Sequence, residues 1–226
     1  MKKLAILAAA LLMAGSANAQ KVQRVQYQVS NFSREMPCKG PNGDVIATQV
    51  GTVCLPYAPT MVEGATLYEL VSASATEWIF QTVSEPQANT PYVYRVENGA
   101  ERVTFYGSGS YERQLEVRGA AAGHEGAFVG TYRSHVVTEP AYFLSGDRIQ
   151  YTEQPINGSI FRCYFTPDVM PAGETLSPNV EMRFVTPAGL RELQEQRAQE
   201  GVTVDRHNIG LQQGEYQMGG KKVTVK

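Results

Sequence analysis

The sequence predicts an all-β protein, a sandwich or barrel-like module of about a dozen short antiparallel strands with one short C-terminal helix. Three observations predict it. Apolar and polar residues alternate with a period of two along much of the chain, as where Val25, Tyr27 and Val29 interleave with Arg24, Gln26 and Gln28. That alternation sends one strand face to a core and the other to water. Clusters of Gly, Pro, Asn and Asp interrupt these runs at short intervals, and the chain carries 21 Gly and 12 Pro in 226 residues. Such residues turn the backbone because they tolerate positive φ or fix it near −65°. Only residues 188–200 combine strong helix formers with an absence of β-branched residues, and Gly201 follows as a stop.

In chain order, the opening strand around Tyr27 is followed by a turn at 41–44 and strands at 45–50 and 52–57. Strands at 65–71 and 77–83 flank a small polar connection. Strands at 91–96 and 102–106 flank 97–101, where Asn98-Gly99 predicts a hairpin, since both residues accept positive φ. Gly107-Ser108-Gly109-Ser110 reads as a turn, Tyr111, Leu115 and Val117 as one face of a strand, and 119–126 as a flexible Gly/Ala loop. Further short strands are expected at 127–132, 141–144, 148–151 and 159–166, punctuated by Ser145-Gly146-Asp147 and Asn157-Gly158. Residues 167–178 form a Pro/Gly-containing connector, 180–185 one more strand, and 215–226 close as a small hairpin.

The first nineteen residues stand apart. Lys2 and Lys3 precede an apolar stretch at 4–14, and Ala17-Asn18-Ala19 has the small-residue pattern of a cleavage site. This is the composition of a secretory signal peptide, and it is too short to anchor in a bilayer. Gln20, not Cys, follows the expected cut, which disfavours acylation. The full chain has 20 Lys and Arg against 22 Asp and Glu; losing Lys2 and Lys3 with the leader leaves 207 residues and a net charge of −4. Such a chain has no basic excess to neutralise phosphates, so nucleic acid is not an expected partner. The mature part has no transmembrane segment by composition. The expected location is the periplasm, the outer-membrane surface or the extracellular space.

Cys38, Cys54 and Cys163 all fall in the exported part, and an odd count leaves at least one thiol free or paired between chains. All three are disulfide candidates, with the pairing open. Alternation places Cys163 on the same face as Phe161 and Phe165, pointing to the core. No protease-like signature surrounds any of them, so packing or a bridge outweighs nucleophilic catalysis. His124, His135 and His207 are isolated and read as surface residues. No H-E-x-x-H, nucleophile elbow or P-loop is present, so no catalytic residue, metal or cofactor is expected.

Six motifs in order resemble an all-β module recurrent in secreted and surface proteins of Bacteroidetes-type bacteria. They are Thr52-Val53-Cys54-Leu55-Pro56-Tyr57, Gly64-Ala65-Thr66-Leu67-Tyr68, Ala88-Asn89-Thr90-Pro91-Tyr92, Gly130-Thr131-Tyr132, Tyr142-Phe143-Leu144 and Arg162-Cys163-Tyr164-Phe165. The resemblance covers about residues 48 to 168 and implies a surface location and an all-β fold. The end of the chain, from Gly214-Glu215-Tyr216 to Lys221-Lys222-Val223, is similar to a C-terminal tail of such proteins that serves outer-membrane sorting.

Three segments are therefore expected: a leader at 1–19, an all-β module with an N-terminal strand extension at 20–168, and a connector, strand, helix and β-like tail at 169–226. Aromatics are the remaining candidates for recognition, because they offer large contact area at low entropic cost. Tyr92 and Tyr94 share a strand face, as do Arg162 and Tyr164 on the side of their strand away from the core; these four are the ligand-binding candidates. The expected function is non-enzymatic binding or adhesion with a glycan or protein partner. An accessory spacer domain and a hydrolase with an unrecognised site are the alternatives.

Overall fold

A computed structural model of the chain describes residues 26–36, 49–112 and 116–198 in full, together with the backbone of further short strands on either side. The leader at 1–19, Arg24 and Val25 at the start of the opening strand, the turn at 41–44 and His207 lie outside the described residues.

The strands are β1 (Gln26–Glu35), β2 (Cys38–Lys39), β3 (Val45–Ile46), β4 (Val50–Leu55), β5 (Met61–Glu63), β6 (Ala65–Ala73), β7 (Glu77–Thr82), β8 (Thr90–Val96), β9 (Arg102–Glu112) and β10 (Glu116–Ala121). They continue with β11 (His124–Thr131), β12 (His135–Val137), β13 (Ala141–Ser145), β14 (Arg148–Thr152), β15 (Ile156–Gly158), β16 (Cys163–Phe165) and β17 (Glu181–Val185). Among the described residues there is one α-helix, α1 (Pro187–Gln199), and it precedes β18 (Val202–Val204), β19 (Gly214–Met218) and β20 (Lys221–Val225).

The fold is all-β. Its body is two five-stranded sheets, in the orders β17-β7-β6-β8-β4 and β10-β11-β16-β13-β14. A three-stranded sheet, β1-β9-β5, packs alongside, and β12-β15 forms a two-stranded cover. Between the main sheets lie Trp78, Phe80, Phe128 and Phe165, all essentially inaccessible to solvent. Phe128 stacks on its register partner Phe165 at 4.0 Å, and Trp78 meets Phe165 edge-on at 5.1 Å. Each such side chain contributes about 1.5–3 kcal/mol through burial, so this aromatic layer dominates the core. Val129, Val137, Ala141 and Tyr164 make a second small core between the outer face of β11–β16 and β12–β15.

β1 is held by its side chains as well as by its ladder with β9. The Arg34 guanidinium crosses to the main sheets, donating from Nη1 to the Thr52 carbonyl (2.7 Å) and from Nη2 to the Phe161 carbonyl (3.0 Å). It also lies over the Phe32 ring, and it hydrogen-bonds the Tyr94 hydroxyl at 3.3 Å. From the other side, the Tyr57 hydroxyl accepts from the Phe32 N–H and donates to the Phe105 carbonyl.

Several local expectations are corrected. Pairing is not purely antiparallel: β17 runs parallel to β7, and β18 parallel to β20. Asn98-Gly99 does turn the chain, with Gly99 at φ +82°, but its flanking strands do not pair with each other. β8 joins β6 and β4 while β9 joins β1 and β5, so this turn is a corner between sheets. Residues 107–110 lie inside β9, not in a turn. The glycines are there because the preceding segment presses on the strand: a Cβ on Gly107 would stand 2.6 Å from the Tyr57 ring, and one on Gly109 2.7 Å from the Pro56 carbonyl oxygen. The Gly/Ala loop at 119–126 is instead a tight β10–β11 hairpin, in which Ala121 pairs with His124. Ala122 and Gly123 both adopt positive φ, as a two-residue turn of this hand requires. The strand expected over 159–166 shrinks to Cys163–Phe165, because Phe161 turns into the left-handed region at φ +58°. Asn157-Gly158 is the end of β15, not a turn.

Other elements follow the expectation. Ser145-Gly146-Asp147 closes β13–β14, residues 188–199 are helical, and β19 pairs antiparallel with β20. Helix α1 docks through Arg197 on Glu77, which also holds Arg183 of β17. Among the described residues no helix is long and apolar enough to cross a membrane.

Candidate functional site

A two-residue turn builds the site. Gly146 and Asp147 take φ of +56° and +59°, which fixes the register of β13–β14 so that Ser145 faces Arg148 and Tyr142 faces Tyr151. Directly opposed residues share a sheet face. The Tyr142 and Tyr151 rings accordingly meet at 4.9 Å, tilted by 43°. Tyr142 is buried and meets Trp78 edge-on at 5.6 Å, while Tyr151 is 43% exposed. A ladder of aromatic rings thus rises from the core to the surface.

The facing wall is the connector after β16. Thr166 leads into a single 3-10 turn at Pro167–Val169, and buried Val169 and Met170 pin the segment to the core. Between this wall and the tyrosine pair lies an open cleft of about 800 Å³, lined also by Glu153, Asp168, Glu174 and His124. Each carboxylate is anchored locally. Glu153 accepts from the Tyr151 hydroxyl (3.4 Å), Asp168 from the Thr166 hydroxyl (3.4 Å) and Glu174 from the Ala75 N–H (2.8 Å). Burial, and then the neighbouring Tyr151, push the Tyr142 phenol up, so it is neutral at physiological pH. Among the described residues the lining includes no Lys or Arg, so the cleft is an aromatic surface rimmed with hydrogen-bond acceptors and negative charge.

The four ligand-binding candidates from the sequence lie elsewhere and do not come together as a platform. Tyr92, Tyr94 and Tyr164 are 6%, 1% and 6% exposed, so none offers a ring face to a ligand. The Tyr92 hydroxyl accepts from the Gln87 N–H at 2.8 Å. Tyr94 lies across Gly51, whose absent Cβ would stand 2.5 Å from its hydroxyl. The Tyr164 hydroxyl donates to Glu116 Oε1 at 2.5 Å, and burial and that carboxylate push its phenol up. Tyr164 does point away from the main core, but β12–β15 covers that face. Arg162 is half-buried near Arg34, whose guanidinium pKa is lowered by burial and then by the Arg162 charge.

Of the histidines, His124 is exposed at the cleft. His135 is not a free surface residue: it is largely covered, with Nε2 3.7 Å from Glu116 Oε1. Cys54 and Cys163 are both buried free thiols, and the side chain of Cys38 lies outside the described residues. Burial, slightly offset by the Tyr132 hydroxyl, pushes Cys54 up to about 12. Burial, and then Cys54 itself, push Cys163 well up. Thiols held protonated in this way are poor nucleophiles. Among the described residues, no group of three or more His, Cys, Asp and Glu is gathered as metal ligands.

Neither Tyr142 nor Tyr151 is among the ligand-binding candidates the sequence offers, although a signal for the pair exists. Counting outward from a two-residue turn at Gly146-Asp147 pairs 142 with 151 directly. Comparison with known protein families, curated proteins and solved structures finds no match.

Proposed function

We propose that this chain is an exported, non-enzymatic binding protein of the bacterial cell surface or periplasm, and that the cleft beside Tyr151 takes a neutral glycan. The leader-like first nineteen residues and the motif resemblance support export and a surface location. The observation that carries the ligand class is the exposed Tyr151 ring backed by Tyr142, with Glu153, Asp168 and Glu174 around it. A sugar ring carries an apolar C–H face that fits an aromatic platform, and hydroxyls that donate to carboxylates. The negative rim favours uncharged sugars over sialic or uronic acids, since like charges in a partly enclosed site repel.

The carboxylates also admit a hydrolase reading, because paired acids are what glycoside hydrolysis uses. Their local anchoring by Tyr151, Thr166 and Ala75 favours holding a ligand over shuttling protons. A glycan array probed with the 226-residue chain and its Tyr151→Ala variant tests the proposal. Neutral glycans bind, and the variant loses about tenfold or more, worth about 1.4 kcal/mol, with an unchanged melting temperature. Absence of any glycan ligand, or equal binding by the variant, overturns it; release of reducing sugar from a bound glycan moves the reading to the hydrolase.

A further inference from the structure

We propose that Cys54 and Cys163 are the bonding pair of this protein, closing a disulfide that staples the two main sheets together and leaves Cys38 out. The argument begins at Gly130. In the ladder between β11 and β16, Gly130 is the direct partner of Cys163. Directly opposed residues carry their Cβ atoms about 4.5–5.5 Å apart on one face of a sheet. A Cβ built on Gly130 would stand 2.4 Å from Cys54 Cβ and 2.5 Å from Cys54 Sγ. The Cys54 sulfur, reaching across from the other sheet, therefore fills the space that Gly130 leaves beside the Cys163 side chain.

A second set of contacts fixes the same approach independently. Thr52, two residues from Cys54 and on the same face of β4, accepts from the Cys163 N–H at 2.9 Å and donates to the Cys163 carbonyl at 3.2 Å. The Cys54 N–H reaches the Phe161 carbonyl at 3.3 Å. The backbones carrying the two thiols are thus tied to each other at Thr52 and at Cys54. Both cysteines are enclosed, Cys54 wholly and Cys163 to 7% exposure, so the two thiols share one sealed interior.

The chemistry is ordinary exchange with a low-molecular-mass disulfide such as oxidised glutathione. The thiolate of one cysteine attacks it, forming a mixed disulfide and releasing one glutathione thiolate. The thiolate of the second cysteine then displaces the other glutathione, forming the Sγ–Sγ bond. The protein dithiol loses two electrons and its two thiol protons, and one glutathione disulfide becomes two glutathione thiols. Burial keeps both protein thiols protonated once the sheets have closed, so oxidation belongs to the folding chain, and the finished bridge is shielded from reductants.

The test refolds the full 226-residue chain from denaturant in a reduced/oxidised glutathione mixture, followed by alkylation and non-reducing peptide mapping. The expected result is one linked peptide pair containing Cys54 and Cys163, a mass lower by about 2 Da for the two lost hydrogens before alkylation, and Cys38 alkylated. Under native conditions the bridge resists dithiothreitol and opens in guanidinium. A Cys38→Ser variant yields the same pair. Any linkage that includes Cys38, or three alkylated cysteines after refolding, overturns the proposal. No glycan enters this test, so its failure and the failure of the cleft reading are separate results.

Discussion

Cys54 and the buried tyrosines set the alkaline limit of the fold in its reduced form. In the unfolded chain a thiol releases its proton near pH 8.5 and a phenol near 10. In the folded chain Cys54 keeps its proton to about 12, and burial raises Cys163, Tyr132 and Tyr164 as well. Between the two values the folded state binds more protons than the unfolded state, so stability falls as pH rises, by up to about 1.4 kcal/mol per pH unit for each group. Below about pH 8 these groups contribute no slope. Urea midpoints measured in reductant should hold steady from pH 7 to 8 and fall progressively from pH 9 upward; a flat profile to pH 11 would mean that these protons are not buried. Gly130 supplies a second residue-scale prediction. Gly130→Ala places a methyl group inside the Cys54 side chain and should cost about 1–3 kcal/mol, read from denaturant midpoints. At this scale the sequence was legible only in part. Alternation correctly sent Cys163 and Phe165 to one inner face, but it cannot say whether the opposite face is wet. For Tyr164 that face is covered by β12–β15, and for Tyr94 the cover includes Arg34 and the bare backbone of Gly51.

The elements depend on ties that strand periodicity does not encode. β1 is an edge strand tied to the main sheets by Arg34, which satisfies the Thr52 and Phe161 carbonyls at once. Arg34→Met preserves much of the side-chain volume but leaves those acceptors without the guanidinium. It should lower stability by about 2–3 kcal/mol and speed amide exchange across β1 first. Uniform exchange in the variant and the wild type would remove Arg34 as the clamp. The hairpins divide by the chemistry of their turns. Gly146-Asp147 was readable because two positive φ values within two residues leave little choice of register. Asn98-Gly99 carries the same kind of signal but turns a corner, because Glu97 N–H bonds to the Gly64 carbonyl and Met36 N–H to the Glu101 carbonyl, drawing the flanking strands into different sheets. Turn chemistry specifies a reversal; the partners on either side decide whether it becomes a hairpin.

At the scale of the whole molecule, the all-β class and the C-terminal helix α1 were legible in the sequence, since alternation, turn spacing and helix propensity are local signals. Strand direction was not. β17 joins β7 in parallel across roughly a hundred residues of sequence, and apolar alternation reads the same in either direction. The cleft was hidden for the same reason: its tyrosine wall comes from β13–β14, its opposite wall from the connector after β16, and His124 from the β10–β11 turn. Only the packing of the sheets brings these segments together. The central claim is that this cleft is where a ligand sits, and hydrogen–deuterium exchange with a saturating neutral glycan tests it most directly. The account predicts slowed exchange confined to 142–153 and 168–176, with the rest of the chain unchanged. Protection confined to another surface, or no protection at saturation, would contradict it.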